Sequence, residues 1–185
     1  MRINHANLAR NIVYGTSAVK IADPGSEATH RWKVYVRGYE NSDISYFIRS
    51  VTFKIHETFA NPTRSIDAPP FEIEETGWGE FTIQGKIYFT DVHEKPVPFH
   101  VSLKLHPDSG NKLIGDVEYT KDTVYNERMD TVIFDSPTEA TYKIIKNSTE
   151  PDLDREIKRK IADEKERISA AIDYIIEKLE NEPTK

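Results

Sequence analysis

Between residues 30 and 134 apolar side chains recur at every second position within several short segments, and no 3.6-residue period appears before residue 138. In residues 30–39 Trp32, Val34 and Val36 alternate with Lys33, Tyr35 and Arg37. In residues 46–56 Val51, Phe53 and Ile55 alternate with Thr52, Lys54 and His56. Residues 81–90 place Phe81, Ile83, Gly85, Ile87 and Phe89 on one parity, and residues 97–106 turn Phe99, Val101, Leu103 and Leu105 inward. Successive strand side chains point to opposite faces, so each segment carries one apolar face that another layer must cover. Residues 11–20, bent or interrupted at Gly15, and residues 122–134, ended by Ser136-Pro137, read as the outer members of the set. Gly85 allows a kink in its long strand. Short strands separated by turn signals predict an all-β fold, an immunoglobulin-like two-sheet β-sandwich over residues 1–138.

One stretch interrupts the regular alternation. Residues 54–81 read KIHETFANPTRSIDAPPFEIEETGWGEF. A strand ends near His56, Asn61-Pro62 breaks regular pairing, a long loop follows, and Phe71, Ile73 and Glu75 alternate towards Gly77-Trp78-Gly79. His56, Thr58 and Phe59 lie where one strand runs out, and Trp78 lies between glycines that permit unusual backbone angles and close approach. Two readings stand at this point. Single aromatics near strand ends serve as core plugs, and a lone histidine there as a satisfied turn residue. Alternatively, the two rings and the hydroxyl form a slot for a flat, neutral amide, stacked by the rings and hydrogen-bonded by Thr58 and backbone N–H groups.

Composition removes other chemistries. The chain has no cysteine, which excludes disulfides, thiolate nucleophiles and Cys-type zinc sites. Its six histidines are scattered; His100 and His106 share a strand face but lie ~20 Å apart, too far for one ion. No metal or other cofactor is expected. There is no G-x-S-x-G, HExxH or Gly-rich phosphate loop, so the reading is a non-enzyme with no catalytic residues. The formal net charge of −6 argues against broad affinity for nucleic-acid phosphates and suits a basic partner. The first residues lack an apolar signal core and no apolar run approaches the ~18 residues of a membrane span, so a cytosolic or nuclear protein is expected, with no membrane partner.

After Asn147 the composition changes. Residues 139–150 read as a linker and residues 151–182 as a charged C-terminal α-helix of coiled-coil type. Ile161, Ile168, Ile172, Ile175 and Leu179 fall at steps compatible with a heptad, while Lys158 and Lys165 interrupt the early seam. Such a helix either packs on its own sandwich or pairs with a partner helix or a second copy.

IHETF at 55–59, the following NP, the PPF at 69–71 and ETGWGEF at 75–81 together resemble the signature of the YEATS domain, a chromatin reader of acylated lysine. IVYG at 12–15, HRWKVYVR at 30–37, LKLH at 103–106 and VIFDSPT at 132–138 extend the resemblance over most of the chain in order. It implies an aromatic channel at one tip of the sandwich: Phe59 and Trp78 as walls, His56 lining, and the Thr58 hydroxyl on the acyl amide. It further implies the Trp78 N–H on the acyl carbonyl, Gly77 and Gly79 permitting the approach, and His30 as a lid from a neighbouring loop. Thr58 departs from the family's usual serine, and the acidic residue some members carry near Ser102 is not evident. The implied partners are an acylated (acetyl or crotonyl) histone tail and, through the C-terminal helix, subunits of a histone-variant exchange or histone acetyltransferase complex in the nucleus, with self-association as a further role. A histone-chaperone-like sandwich indifferent to acylation is the main alternative. A carbohydrate-binding sandwich and a methyl-lysine cage are the others.

Overall fold

In the computed structural model, which describes residues 1–22, 25, 27–108, 113–114, 120, 122–148, 161, 164–172 and 174–175, the alternating segments form two four-stranded antiparallel sheets. One has the order β5-β2-β1-β8, from β1 (Asn7–Lys20), β2 (His30–Gly38), β5 (Phe71–Gly77) and β8 (Thr123–Asp135). The other has the order β4-β3-β6-β7, from β3 (Ile48–Lys54), β4 (Thr63–Ile66), β6 (Thr82–Phe89) and β7 (Val97–Ser102). Trp32, Val34 and Val36 of β2 share one buried cluster with Val51 and Phe53 of β3 and with Ile83 and Ile87 of β6. Each such side chain stabilises the fold by ~1.5–3 kcal/mol relative to exposure. The inward parity read from the sequence is therefore the core, and the immunoglobulin-like sandwich is the fold.

Several details differ from expectation. β1 begins at Asn7 and pairs without interruption with β2 and β8, so Gly15 neither bends nor breaks it. Gly85 does not kink β6: it lies opposite Phe53 on one side and Phe99 on the other in continuous register. A Cβ at Gly85 would fall 2.0 Å from Phe99 Cζ, so the missing side chain is the seat of the Phe99 ring. The presumed loop between Asn61-Pro62 and the proline pair contains β4, which pairs with β3. Leu103 and Leu105 stay buried beyond the end of β7. The Leu103 N–H donates to Phe81 O at 2.8 Å, which carries the pairing past the strand.

The segment 139–150, read as a linker, holds helix α1 (Glu139–Asn147). Thr138 caps its start, accepting from the Thr141 N–H at 3.1 Å, and Ile145 enters the sandwich core at 1 % exposure. The turn after β6 grips the cap. Asp91 accepts from the hydroxyls of Thr138 and Thr141, Glu94 accepts from the Thr138 N–H at 2.9 Å, and Arg2 ties Glu94 to the Ser136 carbonyl. At the other end the Arg10 guanidinium donates to the Ile145 carbonyl and to the Ser148 hydroxyl, a cation at the helix C-terminus. The compact unit accordingly runs from Met1 to Thr149, and a second unit covers Glu150–Lys185. In the second unit residues 161, 164–172 and 174–175 are helical, with Ile161, Ile168, Ile172 and Ile175 half exposed. The rest of the predicted helix, including Lys158 and Leu179, lies outside the described residues.

The clamp on α1 is sensitive to acid. The Thr138 hydroxyl first, then the His93 backbone and side chain and Thr141, hold the Asp91 carboxyl well below the usual carboxylate range. A folded value depressed below the unfolded ~3.9 gives stability that is complete above that pH and is lost as pH falls through the folded value. Melting temperature is expected to decline progressively below about pH 4, and Asp91→Asn should flatten part of that decline. Equal acid limbs for the two proteins would remove Asp91 from the account.

Candidate functional site

The site sits where β3 runs out and β5 hands over to β6. Past Lys54 the chain tightens into a turn in which the Phe59 N–H donates to the His56 carbonyl at 3.1 Å. The turn folds the Thr58 hydroxyl against His56 Nδ1 at 2.9 Å, with the Thr58 N–H aimed at the same nitrogen at 3.4 Å. With Nδ1 the acceptor of both, the ring proton resides on Nε2 and the Thr58 oxygen keeps lone pairs for an incoming N–H. His56 and Thr58 are both exposed.

Beneath the turn lies an aromatic platform. Trp32 meets Phe59 edge-on at 5.6 Å and Phe81 edge-on at 5.7 Å between ring centroids. Phe81 also touches Phe59 at 5.9 Å and His56 at 5.8 Å. Such tilted and edge-on pairs orient the rings, and Trp32, fully buried in β2, anchors them to the core. Arg64 of β4 adds a brace. Its guanidinium donates to the Asn61 and Ala60 carbonyls and pairs with Glu75 of β5, linking the two sheets beside the turn.

Trp78 stands apart from the platform. It is 73 % exposed, stacks on no ring among the described residues, and its N–H has no acceptor among them. Of the two readings of this residue, the displayed ring is therefore the one observed. Its loop is nevertheless held. The Glu80 carboxylate accepts from the Leu105 N–H at 2.8 Å and faces Lys104, and the Leu105 N–H chiefly lowers the Glu80 pKa.

Neither flanking glycine has the left-handed backbone the sequence suggested. A Cβ at Gly79 would meet nothing within 4 Å. At Gly77 it would meet Trp32 Nε1 at 3.5 Å and Phe59 Cζ at 3.6 Å, both ordinary contacts. Among the described residues nothing requires glycine at either position, and Gly79 borders open space.

His30 is not a loop residue. It opens β2, opposite Gly77, and is 4 % exposed. Its Nδ1 lies 2.8 Å from the Thr29 hydroxyl, its ring meets His106 edge-on at 5.2 Å, and burial first and His106 second lower its pKa. The Thr29 N–H bond to the Gly77 carbonyl at 3.1 Å holds the chain in the sheet one residue earlier, and this removes the predicted lid. The structure thus brings His56, Thr58, Phe59 and Gly77 together, displays Trp78 beside Gly79, and sets His30 underneath. Sequence reasoning missed Trp32, Phe81 and Glu80 as site residues. All three lie in quoted segments, but strand parity marks Trp32 and Phe81 only as core.

A family model described as the YEATS family matches residues 27–107, a span that contains every residue of the tip. The Saccharomyces cerevisiae protein named Protein AF-9 homolog is 38 % identical over 97 % of this chain and 92 % of its own length. The chain belongs to the YEATS family. Within the family it is 40 % identical to the Arabidopsis thaliana protein named Transcription initiation factor TFIID subunit 14b, over 74 % of this chain and 50 % of that protein. Among solved structures, the Yaf9 YEATS domain bound to H3K27ac superposes with a TM-score of 0.67 at 41 % identity, covering 80 % of this chain and 99 % of that one. The Yaf9 YEATS domain recognizing an H3K122suc peptide gives 0.65 at 42 % identity over the same shares. Among the described residues no cluster of three or more His, Asp or Glu side chains could hold a metal ion.

Proposed function

We propose that the tip reads acylated lysine on histone tails. The observation that carries this is the exposed Trp78, next to the open space at Gly79, together with an ordered aromatic platform whose polar groups include the Thr58 hydroxyl, His56 and the buried Trp32 Nε1. The acyl group slides between Trp78 and Phe59, the Thr58 oxygen accepts the amide N–H, and the Trp78 N–H donates to the acyl carbonyl. Acylation removes the lysine charge, so the neutral side chain enters without the desolvation cost an ammonium carries. Related YEATS domains bound to acylated H3 peptides support this reading. The fittings hold and orient a ligand, and the function is binding rather than catalysis.

Location in the nucleus and membership of a chromatin complex follow from that ligand. A relative named as a TFIID subunit supports the second. The apolar positions Ile168, Ile172 and Ile175, half exposed on the helix of the second unit, are the docking stripe for a partner subunit in this reading.

The test is a titration of acetyl-lysine, crotonyl-lysine and unmodified histone H3 peptides onto the protein. Acylated peptides are expected to bind in the micromolar range, since a short peptide buries well under the ~1,200 Å² of a stable interface, and the flat crotonyl group at least as well as acetyl. Equal binding of the unmodified peptide would replace this reading with that of a histone chaperone. A finer check uses the empty position. Gly79→Ala is expected to leave the melting temperature unchanged or slightly raised, because glycine costs unfolded-state entropy of ~0.4–1 kcal/mol, while weakening acyl-peptide binding. Undiminished binding by this variant would show that the ligand does not pass Gly79.

A further inference from the structure

Both sheets have edges, and they are treated differently. β4 is four residues long. β7 carries Pro98 and follows Pro96, and neither residue has an N–H to offer. β5 presents Glu72 and Glu74, which engage Lys33. β8 has thirteen residues, pairs only with β1 among the described residues, and contains neither proline nor lysine. Short strands, proline and edge charge are the usual protections against strand addition, and β8 lacks the first two.

The hydrogen-bond directions of β8 are fixed by three contacts. The Ser136 N–H donates to Ala6 O across the β1 register, so even-numbered residues face β1. The Thr123 N–H goes to Thr120 O, and the Thr131 N–H to the Asp130 carboxylate at 2.8 Å, so odd-numbered residues face away. The outward backbone groups include those of Glu127, Met129, Thr131 and Ile133. Residues 128–131 are all exposed, as is Ile133 at 68 %.

We infer that the β8 edge is a self-association surface that takes β8 of a second copy of this chain, antiparallel, about a two-fold axis through Met129. Two-fold strand pairing needs outward-facing residues opposite each other, so the axis passes through a residue and not between two: an odd-numbered one in a hydrogen-bonded pair or an even-numbered one in a non-hydrogen-bonded pair. Charge then selects which one. Centred on Met129, Arg128 of each copy lies opposite Asp130 of the other in the closer, non-hydrogen-bonded positions, giving two reciprocal ion pairs. The Asp130 carboxylate trades its bond to the Thr131 N–H for this contact, and the freed N–H joins the new ladder opposite Glu127. Ile133 lies across from Tyr125 on the outer face. Centred on Thr131, Arg128 would face Phe134; centred on Glu127, it would face Asn126. Centred on Arg128 or on Asp130, like charges would face each other across the axis, and none of these alternatives pairs the charges.

The product is a continuous eight-stranded sheet with the two β5 strands at its far ends, ~34 Å apart at ~4.8 Å per strand. The two reader tips then occupy opposite ends of one rigid body. That arrangement suits two acylated tails and raises the avidity for doubly modified targets.

The chain has no cysteine, so a single introduced one reports proximity cleanly. In the full chain, Met129→Cys is expected to form an intermolecular disulfide readily under mild oxidation, because hydrogen-bonded partners lie ~5.5 Å apart between Cα atoms, within the disulfide range. Thr131→Cys should cross-link far more slowly, its two copies being roughly 14 Å apart. In sedimentation experiments Arg128→Asp alone should weaken dimerisation at least tenfold, and Arg128→Asp with Asp130→Arg should restore it. Melting curves confirm that each variant is folded. Cross-linking at equal rates at 129 and 131, a dimer indifferent to the charge swap, or a chain monomeric at every concentration would each overturn the inference. The second of these outcomes assigns association to the C-terminal helix instead.

Discussion

Trp78→Ala is expected to remove detectable preference for acylated over unmodified peptide while leaving the protein folded. The ring is 73 % exposed and stacks on no ring among the described residues, so its loss belongs with surface substitutions, within about ±0.5 kcal/mol of stability. In the complex it forms one wall of the slot. Truncating a central aromatic anchor typically costs ~2 kcal/mol or more, enough to push a micromolar ligand out of the measurable range. Calorimetric titration paired with thermal melting reads both effects. A fall in stability of ~3–5 kcal/mol, the cost of deleting a buried tryptophan, would show that Trp78 is core and the slot misplaced. Trp32→Ala provides the contrast, since Trp32 is 1 % exposed and supports Phe59 and Phe81. It should lose stability of that size together with binding.

The difference between these two tryptophans marks how far the sequence could be read. Alternation placed Trp32 inside and the glycine-flanked position displayed Trp78, because both follow from local pattern. The sandwich followed in the same way, since β2, β6 and β7 each carry an unbroken parity. What failed was whatever depends on a neighbour in another strand. Gly85 and Gly15 read locally as sites of backbone freedom, yet one accommodates the Phe99 ring and the other the Glu127 side chain. β4 has one inward apolar residue, Ile66, between polar neighbours and proline signals, so no alternation announced it. Helix α1 is nine residues long, too short to persist alone in water. Asp91, Glu94 and Arg10 hold it, from strand ends and turns up to 138 residues away in sequence. His30 looked like a loop residue because the sheet's extension through Thr29 is a tertiary hydrogen bond, invisible in the alternation.

Glu127 carries the second large effect, and it too depends on register. β8 sets it beside Gly15 of β1, whose missing Cβ leaves it room: a Cβ there would lie 2.7 Å from Glu127 Cγ. At 2 % exposure its carboxylate accepts from the Tyr35 hydroxyl at 2.6 Å, from Arg37 at 2.7 and 3.1 Å, and from the Ile114 N–H at 2.5 Å. Arg37 reaches on to the Ile114 carbonyl at 2.7 Å, so the pair pins that segment over the outer face of the sheet. Burial, and then Glu127, push the Tyr35 phenol upward, keeping it a neutral donor to the carboxylate. Glu127→Ala leaves the largely buried Arg37 without its counter-charge and the Tyr35 hydroxyl without its acceptor. Breaking a buried pair from one side costs ~3–5 kcal/mol, against a total of roughly 5–15 kcal/mol for a domain. The melting temperature should therefore fall by about 10 °C, at ~2–4 °C per kcal/mol for a chain of this size. Replacing both partners by apolar residues, Glu127→Leu with Arg37→Met, should cost clearly less than the sum of the two single changes, because no orphaned charge remains. Arg37 lies seven residues along β2 from His30, roughly 23 Å away, so acyl-peptide affinity measured well below the melting point should be unchanged. Additive single effects, or affinity that falls with stability, would mean that the network is either energetically idle or wired to the reader tip.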